Sequence, residues 1–151
     1  MPLEIRQLGP EDAAMLDTAP PGDVFDNRVD NSAANDFLAD PRNRMVAAID
    51  DGVVVGMVSA ALHIHPDRPR PELWIDEVGV APSHHRRGIG RRMMLAMLDI
   101  ARECGCGEAW VLTHRSNAAA MGLYDSLGVD TEEEDAVMFT FHLEGGSDGG
   151  E

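Results

Sequence analysis

The sequence predicts a mixed α/β (α+β) fold on three observations. Strand-like apolar runs outnumber helical patterns through the first half of the 151 residues. Asp51-Gly52 between two apolar runs marks a hairpin, because this dipeptide accepts the backbone geometry of a tight strand-to-strand turn. From Gly88 onward apolar residues recur at helical spacing, and a strand–helix–strand unit follows.

In chain order, LEIRQL (3–8) alternates and predicts a first strand. GPEDAAMLDT opens a short helix with acids in its first turn, where the helix dipole favours them. Pro20-Pro21-Gly22 places residues 18–27 in a loop, and SAANDFLAD (32–40) predicts a second short helix stopped by Pro41. RMVAAID (44–50) and VVVGMVSAALHI (53–64) are the strands of the hairpin. After the loop HPDRPRP (65–71), ELWIDEVGV (72–80) is the next strand. A long helix spans about 88–103, with Ile89, Met93, Met97, Ile100 and Cys104 on one stripe. EAWVLTH (108–114) predicts a strand, NAAAMGLYDSLG (117–128) a helix and AVMFTFHL (136–143) a last strand. One domain is expected over 1–143, followed by a disordered acidic, Gly-rich tail at 144–151.

Composition narrows the function. The formal net charge is −15, so a phosphate backbone or anionic membrane is repelled overall, whereas a cationic partner is attracted. No apolar run approaches the roughly 18–20 residues of a membrane span, and the start MPLEIRQLGPED lacks a signal peptide's basic and apolar regions. A cytoplasmic location is expected. Cys104 and Cys106 stand too close together to staple a fold and are expected to be reduced.

Against that acidity, HHRRGIGRR (84–92) gathers four of the chain's arginines around Gly88 and Gly90. Arg91 and Arg92 fall in the first turn of the long helix, where the partial positive charge of the helix makes a cation unfavourable unless an anion offsets it. The glycines leave the backbone N–H groups open to a ligand. Helix N-terminus, bare backbone and guanidinium groups together describe a phosphate or pyrophosphate site. A tight turn with solvated arginines is the plainer reading. A Walker A loop is excluded because the chain has no Lys, and a Rossmann fingerprint fits poorly because Met93 stands at the third glycine position.

VGVAPSHHRRGIGRRMM resembles the acyl-CoA-binding motif of the Gcn5-related N-acetyltransferases, whose core pattern is Arg/Gln-x-x-Gly-x-Gly/Ala after a strand. Gly88 and Gly90 match the glycines, and His85 stands where Arg or Gln is usual. Further along, Asn117, the Ala-rich run 118–120, Tyr124 and Gly128 resemble the later motif of that family. Asn117 is a good N-cap, and Tyr124, the only Tyr, lies two turns along the same helical face. The resemblance implies a mostly antiparallel central sheet flanked by helices and acetyl-CoA as co-substrate, with no metal. It also implies contacts to acetyl-CoA from Val78, Gly79, Val80, His85, Arg86, Arg87, Gly88, Ile89, Gly90, Arg91, Asn117 and Tyr124.

What this family implies chemically is direct attack of an amine on the thioester. Tyr124 is then the expected acid for the departing thiolate, and a backbone N–H near Val78 the expected donor to the carbonyl oxygen. The base comes from Asp76 or Glu77, adjacent carboxylates that point to opposite faces unless a bulge intervenes. Both sit among apolar residues, where burying a carboxylate is costly. By resemblance Glu77 leads and Asp76 stays close.

Residues 68–90 and 122–143 are most similar to the gentamicin-type aminoglycoside 3-N-acetyltransferases, and Asp23-Val24-Phe25 resembles their early loop. Asp76 departs from that group, which tends to carry an aromatic there. An aminoglycoside acceptor, bound through Asp76, Glu77 and Asp135 of the acidic run 132–135, is the first expectation. An acetyltransferase acting on a protein N-terminus, polyamine or other small amine is the second, and a non-catalytic acyl-CoA-binding module the third. A homodimer is a further expectation by analogy. His63, His65, His84 and His85 lack the companions of a four-ligand zinc site, so no metal is expected.

Overall fold

The computed structural model describes residues 2–128 and 136–144. Its strands β1 (Glu4–Gln7), β2 (Asn43–Asp50), β3 (Val53–His63), β4 (Glu72–Val80) and β5 (Glu108–Val111) form one sheet in that order. Every pair is antiparallel except β4 and β5, which run parallel. Helices α1 (Asn31–Ala39), α2 (Ile89–Glu103) and α3 (Ala118–Asp125) complete the order, with a 3-10 helix at Pro10–Thr18 between β1 and α1.

The helices cover both faces of the sheet. Neighbouring strand residues point to opposite sides. On β2, Asn43 donates from its side chain to the Phe37 carbonyl of α1 at 3.1 Å, while Arg44 reaches Cys104 beyond the end of α2 at 3.6 Å. The stripe of α2 predicted from the sequence is the one it buries: Met93 and Met97 are wholly inaccessible and Ile89 nearly so. Each such side chain contributes on the order of 1.5–3 kcal/mol relative to exposure.

The β2–β3 hairpin turns on Asp51 (φ 52°) and Gly52 (φ 79°), two consecutive left-handed residues. That is the type I′ geometry, whose twist matches the flanking strands. Asp12 receives the Gly9 N–H at 2.7 Å and the Arg6 guanidinium at 3.2 Å, closing the start of the 3-10 helix onto β1. These contacts, the Arg6 hydrogen bond first, hold the Asp12 carboxyl below its usual range.

The short helix expected over 9–18 is present, wound as a 3-10 helix at Pro10–Thr18. Two expectations are corrected. β5 ends at Val111 instead of residue 114. The predicted last strand at 136–143 is absent, and Val137, Phe139, Phe141 and Leu143 are exposed. Alternation of apolar residues shows that a segment has a face to bury. It does not supply the partner strand whose hydrogen bonds would make it a strand. Among the described residues no helix is long and apolar enough to cross a membrane.

Two irregularities shape β4. The β3–β4 register shifts so that Ser59 faces Glu77 and Ala60 faces Ile75, leaving Asp76 as the extra residue of a bulge. Farther along, a Cβ on Gly79 would lie 2.2 Å from the Val24 carbonyl oxygen, so the loop after the 3-10 helix rests directly on this backbone. Gly79→Ala is therefore expected to force that loop away and lower the urea midpoint, by roughly 1–3 kcal/mol in unfolding free energy. An unchanged midpoint would show that the contact is not made.

Candidate active site

β5 pairs with β4 only as far as Ile75 opposite Val111. Beyond that point the strands part, and a cleft of about 1290 Å³ opens between residues 76–80 on one side and residues 111–114 with α3 on the other. The residues after β4 close one end, and Asp23, Val24 and Asp26 add a further wall. A strand that loses its neighbour leaves backbone groups unpaired along that edge, and such an edge can receive an extended ligand.

The end formed by residues 84–86 and 88–91 presents open backbone donors and guanidinium groups. Gly88 caps α2 from the left-handed region (φ 73°), a conformation that a side chain opposes. The first bond of α2 runs from the Arg92 N–H to the Gly88 carbonyl at 3.1 Å. The N–H groups of Ile89, Gly90 and Arg91 therefore precede any intrahelical acceptor. All three residues line the cleft, as do His85 and Arg86. A Cβ on Gly90 would meet Leu123 at 3.4 Å, ordinary contact, so this position has room for Ala where Gly88 does not favour it. Bare N–H groups, the helix dipole and a guanidinium fit a pyrophosphate.

His85 turns inward on its own loop, and Nε2 lies 2.8 Å from the Val80 carbonyl oxygen. A carbonyl only accepts, so Nε2 carries the proton. Arg87 is not part of the cleft wall; its charge acts on the Asp50 carboxylate.

The other end is acidic. Because Asp76 is a bulge residue, it and Glu77 both line the cleft. Asp23 and Asp26 face it from the early loop. Desolvation pushes the Glu77 carboxyl above its usual range, and the charges of Asp76 and then Asp26 add to the shift. A carboxylate so placed is a better proton acceptor. Tyr124 also lines the cleft, and burial alone raises its phenol, which keeps the hydroxyl protonated at neutral pH. Asn117 accepts the Ala120 N–H at 3.0 Å and so starts α3, the helix that presents Tyr124.

The cleft thus collects Asp76, Glu77, Val78, Gly79, Val80, His85, Arg86, Gly88, Ile89, Gly90, Arg91, Asn117 and Tyr124. Arg87 stays outside it, and Asp135 lies outside the described residues. The expected buried carboxylates of β4 are corrected: Asp76 and Glu77 keep solvent contact in the open cleft, with Glu77 only partly desolvated by the cleft wall, and the acid buried in this strand is Glu72. Burial would raise the Glu72 carboxyl, but the Trp110 N–H at 3.3 Å and the Arg68 guanidinium hold it below its usual range. His65 pairs with the same carboxylate at 3.3 Å, and His63 packs edge-on against Trp74. Asp26, Thr113 and His114 were not anticipated as cleft residues. The one trace of Asp26 in the sequence is Gly79, whose missing side chain admits the loop that carries it.

Residues 12–129 match the profile of the acetyltransferase (GNAT) family. The chain belongs to this family. Over 97 residues it is 36% identical to the N-alpha-acetyltransferase RimI of Mycobacterium tuberculosis, covering 64% of this chain and 58% of that protein. Over 90 residues it is 36% identical to the streptothricin acetyltransferase of Streptomyces lavendulae, covering 60% of this chain and 45% of the other. The matches therefore span less than two thirds of either relative. Among solved structures, an aminoglycoside acetyltransferase from an uncultured soil metagenomic sample superposes with a TM-score of 0.81 over 94% of this chain and 97% of its own. At 21% identity that likeness establishes the GNAT fold.

The two glycines are expected to separate on substitution. Gly88→Ala should weaken CoA binding by about tenfold, from roughly 1–2 kcal/mol of left-handed strain, while Gly90→Ala stays within about threefold. Calorimetric titration with CoA checks this, and equal losses at both positions would contradict the assignment of Gly88 as the strained cap.

Proposed function

We propose that the protein is an acetyl-CoA-dependent N-acetyltransferase whose acceptor is a polycationic amine of the aminoglycoside class. One observation carries this reading: a single cleft joins the open N-terminus of α2 to the Glu77 carboxylate and the Tyr124 hydroxyl. Acetyl-CoA would supply an acyl thioester with a diphosphate handle. The N–H groups of residues 89–91, with Arg86 and Arg91, hold the diphosphate. The edge of β4 that β5 leaves free, Val78 in particular, orients the thioester and donates to its carbonyl oxygen as charge develops there.

Glu77 accepts the proton that the substrate ammonium must lose before its nitrogen can attack, directly or through a water. Tyr124 donates its proton to the departing thiolate, a role that suits a phenol kept neutral by burial. Asp23, Asp26 and Asp76 supply the negative field that draws in and orients a polyamine. This acid wall favours an aminoglycoside, as do the streptothricin acetyltransferase among the relatives and the aminoglycoside acetyltransferase among the structures. The likeness to RimI supports a second acceptor, the amino group of a protein N-terminus. Thiol release measured with gentamicin, spermidine and an N-terminal peptide separates them. Turnover with the peptide alone would replace the first acceptor by the second.

Tyr124→Phe is expected to lower kcat by about 100-fold with little change in the KM for acetyl-CoA. A kcat within twofold of the parent would remove Tyr124 from the proton transfers. For pH the sign follows from Glu77, which works only when ionised, so the rate falls as pH drops through its raised pKa. Asp26→Asn removes one of the charges that raise it and should move this acid limb to lower pH. A limb that stays in place, or moves up, would exclude Glu77 as the base.

A further inference from the structure

The segment between β4 and α2 winds through a short 3-10 helix, Pro82–His84, and is tied to both strands of the β2–β3 hairpin. The Ala81 N–H bonds to the carbonyl of Val55 at 2.8 Å, and Val55 is itself the unpaired residue of a β2–β3 bulge. The His84 and His85 N–H groups bond back to Ala81 at 2.9 Å and Pro82 at 3.3 Å. Arg86 follows with φ 65°, a left-handed conformation that disfavours any side chain, so its surroundings must hold it there.

Among the described residues, His84 makes the one side-chain hydrogen bond from this loop to a different part of the sheet. Its Nε2 lies 2.7 Å from Asp50 Oδ2, and its Nδ1 lies 2.7 Å from the Ser83 hydroxyl. A carboxylate only accepts, so Nε2 carries the proton. The imidazole is 13% exposed and Asp50 32%. Asp50 is the last residue of β2, and the left-handed pair Asp51-Gly52 fixes where its carboxylate stands. The hydrogen bond from His84 comes first among the influences that hold this carboxyl below its usual range, and the Arg87 charge adds to it.

We propose that Asp50, acting through His84, is a positioning residue for acyl-CoA: the hairpin tip clamps the phosphate loop in its binding shape before the ligand arrives. The inference rests on the proposed acetyl-CoA site and adds to it a residue outside the binding motif. A loop held in place loses less freedom when it binds, so releasing it weakens ligand affinity and leaves the chemistry at Glu77 and Tyr124 alone. His84 lines the cleft but Asp50 does not, so any influence of Asp50 on the ligand passes through His84 and the loop.

The test compares Asp50→Ala, His84→Ala and the double variant with the parent, by calorimetric titration with acetyl-CoA and by steady-state kinetics in both substrates. Asp50→Ala and His84→Ala should each raise the Kd and KM for acetyl-CoA by about 5- to 30-fold, with kcat and the amine KM within about twofold. The double variant should be no worse than the weaker single one, because both remove one link. Asp50→Asn, which can still accept from Nε2–H, should stay within about threefold. Should Asp50→Ala fail to fold, Asp50→Leu removes the same acceptor while keeping the bulk of the side chain, at a position off the cleft. Parent-like acetyl-CoA affinity in Asp50→Ala or His84→Ala overturns the clamp, and so does a loss in Asp50→Asn equal to that in Asp50→Ala. A fall in kcat and amine affinity that matches the loss of acetyl-CoA affinity also overturns it, since that is general damage. A parent that binds no acetyl-CoA would instead overturn the functional reading beneath it.

Discussion

The site depends on β4 keeping one neighbour and losing the other. Up to Ile75 it is an interior strand, held by β3 and β5. From Asp76 it has β3 alone, and the bulge that begins there changes which way its side chains point. A strand cannot leave its partner without exposing backbone donors and acceptors, and those groups need other partners. In this fold the parting makes the cleft, and the unpaired edge becomes a surface for a ligand. The same bulge brings two adjacent carboxylates to one cleft, which a regular strand would have kept on opposite faces.

The remaining elements serve to hold this parted strand in position. α2 buries its methionine-rich stripe behind the sheet and points its open N-terminus into the cleft. The early loop lies on Gly79 so closely that no side chain fits, and it carries Asp26 to within electrostatic reach of Glu77. The result is a cleft with open backbone donors and arginines at one end and carboxylates at the other, which the proposed function reads as places for a diphosphate and an amine. The acidity of the chain as a whole and its one basic stretch thereby find a common place.

Much of this was legible because its signals are local. Asp51-Gly52 specified a hairpin, β4 falls at residues 72–80 as read, and Gly88 and Gly90 marked a helix start from their spacing. The bulge at Asp76 was not legible, because register is a property of two strands and only one of them carries the acids. Asp26 reaches the cleft through a backbone contact between segments more than 50 residues apart, which no periodicity records. The burial of Glu72 instead of Asp76 has the same origin, since its partners Trp110, Arg68 and His65 come together only after folding. The segment 136–143 shows the reverse error, in which a strand pattern was present but the segment pairs with no strand among the described residues.

A crystal structure with a non-hydrolysable acetyl-CoA analogue would decide the matter. The diphosphate is expected against the N–H groups of residues 89–91, the pantetheine arm along β4 beyond Ile75, and the sulfur near the Tyr124 hydroxyl. The acyl group should then face Glu77. An analogue bound elsewhere, or one whose acyl group lies away from both Glu77 and Tyr124, would contradict it.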